Sequence, residues 1–296
     1  MKQDIVGHKQ GLVSKIIIYV LLIALLITIV VPVAWVFMAS IKENSEFYGN
    51  PFALPQGVHW QNFVDAWTKA RMGDYFFTSV MITAMALAIL LVVALPAAYV
   101  LSRYKFIGSK FLNTCFMAGL FINVSYIVVP IFLMFVSGDK IVRNLFGTGF
   151  FLNNPFVVSV VLASTTLPFT IYLLSSYLAT LPKDYEEAAY VDGAGYFTTM
   201  VRIILPMAKP SIVTVILFEF LAYWNEYIIS QTMLTDPNGA RTLPVGLLNL
   251  MKAQNARAEY GQMYAGMVMV MVPTLVLYMC VQKKLTQGMT LGGLKG

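Results

Sequence analysis

Residues 187–206 read Glu187-Ala188-Ala189-Tyr190-Val191-Asp192-Gly193, then nine residues, then Ile203-Ile204-Leu205-Pro206. The segment is short and polar, and it lies between two long apolar stretches. A helix starting at Asp184 puts Glu186 and Glu187 in its first turn, where carboxylates offset the positive end of the helix dipole. Gly193 then breaks that helix. A second helical stretch is predicted from about Tyr196 to just before Pro206, so that 182–209 becomes an elbow of two short helices set at an angle, too polar to enter lipid.

Outside the elbow the chain is apolar. It is 58% hydrophobic and 11% charged, with a mean hydropathy of +0.73, which excludes an ordinary soluble domain and makes lipid the main solvent. Cys115 and Cys280 both fall in apolar stretches and are expected to fill the core, so neither a disulfide framework nor a thiolate metal site is indicated. The formal charge of +6 comes from lysines and arginines spread among short loops, with no basic patch interleaved with aromatics. Nucleic acid is therefore not an expected partner.

A span needs about 20 apolar residues, and the stretches 16–39, 76–101, 111–136, 156–178, 211–234 and 263–282 qualify. They define a cytoplasmic N-terminus (1–15), a six-helix membrane domain (16–282) that contains the elbow, and a C-terminal tail (283–296). The first apolar run is too long for a signal-peptide core and no small-x-small cleavage site follows it, so it is expected to be an uncleaved anchor. Lysine and arginine set the orientation. With the N-terminus inside, twelve fall on the inner side and eight on the outer, and counting acids gives +7 against +1. Both termini and the elbow are then expected in the cytoplasm.

Prolines 32, 96, 130, 168 and 273 lie inside spans and predict kinks that neighbouring helices must satisfy. Small residues four apart, Ala84 with Ala88 and Ala94 with Ala98, predict close helix approach. Between Leu54 and Arg71, Trp60, Phe63, Val64 and Trp67 recur at helical spacing. They predict a short amphipathic helix at the outer interface that braces the bundle or touches an external binding protein.

The fifth span carries ionisable groups at membrane depth, where charges are expensive and point to a cavity or a partner. Glu219, Tyr223, Glu226 and Ser230 recur at i, i+4, i+7 and i+11, predicting one inward face, with Asn225 beside it. Carboxylates accept hydroxyl hydrogen bonds and aromatic rings pack the apolar faces of a sugar, so the set suits a neutral polyol. An interhelical hydrogen bond that merely holds the bundle explains the same residues.

The pattern of Glu187-Ala188-Ala189, three residues, Gly193, nine residues, then Ile203-x-Leu205-Pro206 resembles the cytoplasmic coupling loop of the membrane-spanning subunits of ABC importers. Trp224-Asn225-Glu226-Tyr227, the stretch Ala98–Phe106 and the tail Gly288–Gly296 are similar to segments of carbohydrate-type permeases, nearest to the smaller permease of maltose-like importers. The resemblance implies an all-α polytopic protein, the six-helix type I importer permease fold with coupling helices.

It further implies that Glu186, Glu187, Ala188, Ala189, Asp192, Gly193, Ile203, Leu205 and Pro206 dock on a separate ATPase. Glu219, Tyr223, Asn225 and Glu226 would line a substrate pathway, and Gly292, Gly293 and Lys295 would reach the ATPase from a tail that its glycines keep extended. Implied partners are a second, non-identical permease, two ATPase subunits, an extracytoplasmic solute-binding protein, a sugar and the bilayer of a bacterial inner membrane.

No G-x-x-x-x-G-K-[ST] loop occurs, so ATP and magnesium are expected on the ATPase subunits, and this chain is expected to hold no cofactor or metal. The alternative is an ion-gradient-driven secondary transporter, which would show internal repeats. An intramembrane enzyme is not indicated: neither His8 nor His59 lies in a span and no H-E-x-x-H or G-x-S-x-G is present.

Overall fold

The computed structural model describes residues 12–257 and 259–292. The described chain is all helix: α1 (Leu12–Ser40), α2 (Asn44–Gly49), α3 (Gln61–Thr68), α4 (Met72–Arg103), α5 (Ser109–Gly119), α6 (Val124–Phe146), α7 (Pro155–Leu178) and α8 (Asp184–Val191) come first. They are followed by α9 (Tyr196–Thr199), a π turn (Met200–Ile204), α10 (Leu205–Met207), α11 (Lys209–Trp224), α12 (Ile228–Met233), α13 (Leu243–Arg257) and α14 (Tyr260–Gly292). Among the described residues five helices are long and apolar enough to cross a membrane, six if the pair bent by 76° at Ala208 counts as one span.

The chain divides into two compact units, residues 1–69 with 251–269 and residues 70–250 with 270–296. In the first, the segment after α1 folds back on itself around a buried lysine. Lys42 Nζ donates to the Pro51 carbonyl at 2.8 Å and sits 5.7 Å from the centre of the Phe47 ring. Phe47 stacks on Tyr264 at 5.7 Å, which meets Trp35 edge-on at 5.0 Å. The predicted amphipathic helix forms as α3, with Trp60, Val64 and Trp67 exposed along one face. The opposite face does the bracing, with Asn62 donating to the carbonyls of Ser40 at 3.0 Å and Lys42 at 2.8 Å.

The second unit is organised by α4 against α7, its most extensive helix contact, with α11 packed on both. Ile82, Ala86, Leu90, Ala94 and Ala98, all fully or nearly fully buried, form a ridge at four-residue spacing along α4. Its alanines let the backbones approach until side-chain hydroxyls reach across: Ser159 Oγ donates to the Ile82 carbonyl at 3.2 Å and Ser175 Oγ to that of Ala98 at 3.4 Å. Ala94 and Ala98 therefore pack as expected, whereas Ala84 and Ala88 face out of the unit. The ridge passes through Ala86, two positions on from Ala84, which turns Ala84 and Ala88 to the far side of the helix.

Two predicted spans are broken. The apolar run 111–136 is not one helix: α5 stops at Gly119, and α6 begins after Asn123, whose side chain accepts the Ser125 amide at 2.9 Å. A hydropathy scan counts apolar residues and does not register that an asparagine has capped a new helix. Gly119 also marks a close approach, since a Cβ there would lie 2.8 Å from Pro168 Cγ on α7. The run 211–234 is interrupted at 225–227.

The tail differs as well. α14 continues to Gly292 instead of fraying into an extended strand, because adding one hydrogen bond per residue to an existing helix outweighs the weak propensity of an isolated glycine. Gly292 ends that helix, while Gly293 and Lys295 lie outside the described residues. Cys115 and Cys280 are exposed on this chain and fill no core within it.

Candidate functional site

The elbow begins where α7 ends. A turn over residues 179–182 leads into α8, whose first turn holds Asp184, Glu186 and Glu187, as the dipole argument requires. Gly193 stops the helix in the left-handed region, φ +79. There its amide donates to the Tyr190 carbonyl at 3.0 Å and the next amide, Ala194, to that of Ala189 at 2.9 Å. The second limb does not end before Pro206. It passes through a π turn in which the Leu205 amide reaches back to the Met200 carbonyl, and the chain stays helical to Met207. The widened turn comes immediately before the residue that has no N–H to give, so the proline opens the first turn of α10 instead of breaking the limb. The chain then bends by 76° into α11.

The two neighbouring carboxylates take opposite directions. Glu187, with Ala188 and Asp192, is exposed. Glu186 is buried and accepts from Arg103 Nε at 3.2 Å. The same guanidinium donates through Nη1 to the Leu181 carbonyl at 2.9 Å and through Nη2 to that of Pro182 at 3.3 Å. A cluster of tyrosines flanks the pair. The hydroxyls of Tyr104 and Tyr190 lie 2.5 Å apart, and the rings of Tyr99 and Tyr104 each sit 5.4 Å from that of Tyr196. The hydrogen bond to Tyr104, then burial, holds the Tyr190 phenol above its ordinary pKa, and burial does the same for Tyr196.

The outside of the elbow carries apolar side chains beside the exposed Glu187 and Asp192. Val191 is 88% exposed and Phe197 69%, one on each limb beside Gly193, with Tyr185 and Tyr190 partly exposed nearby. Ala189 is buried, Ile203 and Leu205 are half-buried, and Pro206 is exposed. Of the nine predicted docking residues, Glu186 and Ala189 thus face inward.

The second candidate site is the break in the fifth apolar run. Glu219 is 2% exposed. One carboxylate oxygen accepts from Thr170 Oγ1 on α7 at 3.1 Å, and Oε2 has no hydrogen-bond partner among the described residues. Tyr223 shares a 2.5 Å hydrogen bond with Thr166, also on α7.

The expected continuous face through Glu226 and Ser230 is not formed, because α11 ends at Trp224. Glu226 lies in the break and caps α12, accepting the amides of Ile229 at 2.6 Å and Ser230 at 3.1 Å and the Ser230 hydroxyl at 2.8 Å. Asn225 is exposed and its side-chain amide donates to the Leu221 carbonyl at 2.8 Å. Tyr223, Asn225, Glu226, Thr165 and Thr166 line a groove of about 260 Å³ between α7 and the break, and Glu219 is not part of that lining. Arg103, Thr166 and Thr170 were not among the predicted site residues. The signal for Arg103 was an arginine at the very end of an apolar run, where it must find an anion or carbonyls; the threonines carry no such signal.

Residues 91–291 match the family described as binding-protein-dependent transport system inner membrane component. Among relatives, the chain is 32% identical to the diacetylchitobiose uptake system permease protein NgcG of Streptomyces coelicolor, over 93% of this chain and 87% of the relative. It is 28% identical to the trehalose/maltose transport system permease protein MalG of Thermococcus litoralis, over 97% of this chain and 99% of the relative. A solved bacterial ABC transporter involved in the import of the acidic polysaccharide alginate shares the fold with a TM-score of 0.73 at 22% identity, over 92% of this chain and 96% of that one.

Proposed function

We infer the role of this chain from its descent: it belongs to the binding-protein-dependent transport system inner membrane components, and is therefore a transporter permease, a subunit that conducts without catalysing. The reading proposed for it is the translocation subunit of an ATP-driven importer for a sugar or oligosaccharide. Relatives named for diacetylchitobiose and for trehalose and maltose support a carbohydrate cargo. In this reading the elbow faces the cytoplasm and docks on an ATPase subunit, one of two that hold ATP and magnesium. A second, non-identical permease completes the bundle, and an extracytoplasmic binding protein delivers the sugar. A neighbouring solved transporter crystallised with a pentasaccharide-bound periplasmic protein supports that last partner.

The observation that carries the reading is the tip of the elbow. An exposed valine and phenylalanine on the two limbs beside the glycine turn give a docking partner apolar surface to bury, at the segment that carries the coupling-loop pattern. The elbow is bound to the spans by Glu186 and the tyrosines, so whatever covers its tip is connected to the membrane helices. The groove at the break supports the cargo assignment. Its lining is largely apolar, with the exposed Asn225 amide beside the Tyr223 and Tyr227 rings. At about 260 Å³ it is smaller than the roughly 300–1,000 Å³ of a whole small-molecule site, which fits one wall of a site shared with a second permease.

The test is co-purification of the ATPase with the chain and ATP-driven uptake into vesicles. Burying a Val or Phe side chain stabilises a contact by about 1.5–3 kcal/mol. Val191→Asp is therefore expected to weaken ATPase retention by about tenfold to a hundredfold, with the chain still in the membrane. Full retention of the ATPase by Val191→Asp together with Phe197→Asp would overturn the docking reading.

A further inference from the structure

The elbow is covalently joined to α7 on one side and α11 on the other, yet the polar side chains that fasten it come from a third helix. They come from the end of α4 and the residue after it. Arg103, the last residue of α4, has a side chain only 2% exposed, and all three guanidinium nitrogens engage the segment 181–186. Tyr104 reaches Tyr190 on α8, and Tyr99 with Tyr104 packs on Tyr196 at the start of the second limb. Both limbs of the elbow are thus fastened to the same end of one long helix. The covalent links, by contrast, are places where a displaced segment can pivot: the turn at 179–182 and the 76° bend at Ala208.

Stability alone does not account for the choice of residues. A buried ion pair is often matched or bettered by well-packed apolar side chains. The guanidinium fork contributes a fixed orientation, because its planar donors meet three acceptors at once, whereas a lysine offers a single point of charge on a flexible stem.

We propose that Arg103 is a positioning residue for coupling: its fork on Glu186, Leu181 and Pro182 makes the elbow and α4 move as one body. Displacement of the elbow then passes into α4 and, along the Ile82–Ala98 ridge, to α7, instead of being absorbed at the two pivots. The inference rests on the elbow being the element that docks on the ATPase. It adds the route by which the motion enters the membrane helices and the residue on which that route depends.

The experiment uses the complete transporter in lipid vesicles with its ATPase and loaded binding protein. Arg103→Lys keeps the charge and loses the fork. The expected result is wild-type co-purification of the ATPase, basal hydrolysis within about twofold of wild type, and at least a fivefold loss of the hydrolysis stimulated by the binding protein, with uptake falling in proportion. A subunit that was merely weakened would lose co-purification and stimulation together.

Tyr190→Phe provides an independent arm, since it removes one hydroxyl and keeps the ring. It is expected to lower stimulation about twofold and to add nothing on top of Arg103→Lys, because both act through the same seam. An assembled Arg103→Lys complex with full stimulation overturns the proposal. So does unchanged stimulation in Tyr190→Phe if the lysine variant fails to assemble. Neither result touches the docking reading, which stands or falls with the Val191→Asp arm.

Discussion

The elbow and the break in the fifth apolar run both bend the chain within a short distance, and they do it by different chemistry. At the elbow the turn residue is Gly193 at φ +79, and a Cβ there would meet nothing within 4 Å. The bend is made by backbone freedom alone, with its surroundings left open. At the break the backbone is ordinary, φ −94 at Asn225 and −131 at Tyr227, and a carboxylate holds the bend together. Glu226 brings three hydrogen-bond acceptances to the amides and hydroxyl that open α12.

Position relative to lipid explains the contrast. A turn among polar residues can leave its spare groups to water. A turn inside an apolar run must carry its own partner. A charged side chain at membrane depth is therefore not by itself a substrate ligand: here one glutamate caps a helix and the other bonds to a threonine of the neighbouring helix.

If that contrast is right, the largest effect comes from removing the carboxylate at the break. Loss of an N-cap side chain costs about 0.5–2 kcal/mol in water, and an apolar surrounding raises the figure because no solvent replaces it. Glu226→Ala is expected to lower uptake by about tenfold or more and to drop the thermal midpoint of the detergent-solubilised transporter, by an amount set by roughly 2 kcal/mol. Glu226→Gln, which retains an acceptor oxygen, should fall about midway. A wild-type midpoint in Glu226→Ala would return the carboxylate to the substrate pathway and erase the difference between the two bends.

A smaller effect is expected at the elbow, where only backbone strain is at stake. Any residue with a Cβ pays about 1–2 kcal/mol in the left-handed region, and a β-branched one pays more. Gly193→Val is expected to reduce binding-protein-stimulated ATP hydrolysis by about fivefold to tenfold through misalignment of Val191 and Phe197. Gly195, at φ −73, is the internal control: Gly195→Ala should leave both hydrolysis and uptake unchanged. Equal damage from both substitutions would mean that space at the docking face, not φ, is what the glycines provide.

The same contrast explains what could be read from the sequence. The elbow was legible because its determinants are local: a first turn rich in acids, a glycine, and a second helical stretch, all inside about twenty residues. The six apolar runs were legible for the same reason, being properties of a window. The breaks were not. Asn123 and Glu226 act as caps only once the chain turns there, and a scan for apolar length sees one polar residue in a long run and passes over it.

Partners far apart in sequence were equally hidden. Nothing local distinguishes Glu186 from Glu187; it is the arrival of Arg103, 83 residues earlier, that turns one inward and leaves the other to solvent. The alanine ridge was half right for a related reason. Spacing of four identifies a ridge, but which of the possible ridges packs depends on the helix opposite it.

The smallest effect expected is also the one that separates the groove from the framework around it. Asn225 sits beside Glu226 but makes no side-chain hydrogen bond across helices among the described residues: its amide donates to Leu221, one turn back, and the side chain is exposed. Such a bond is worth at most about 1 kcal/mol, so Asn225→Ala should leave the thermal midpoint where it is.

If the groove forms one wall of the carbohydrate site, the same substitution removes a donor and an acceptor from a hydroxyl-rich ligand. KM for uptake should then rise about threefold to tenfold while the maximal rate stays within about twofold. Unchanged KM would detach the groove from the cargo, leaving the break as a structural bend and placing the sugar contacts on the second permease. A fall in thermal midpoint would instead put Asn225 in the same class as Glu226, as part of what holds the bend. Only a raised KM at constant stability assigns the exposed side of the break to the substrate and the buried side to the fold.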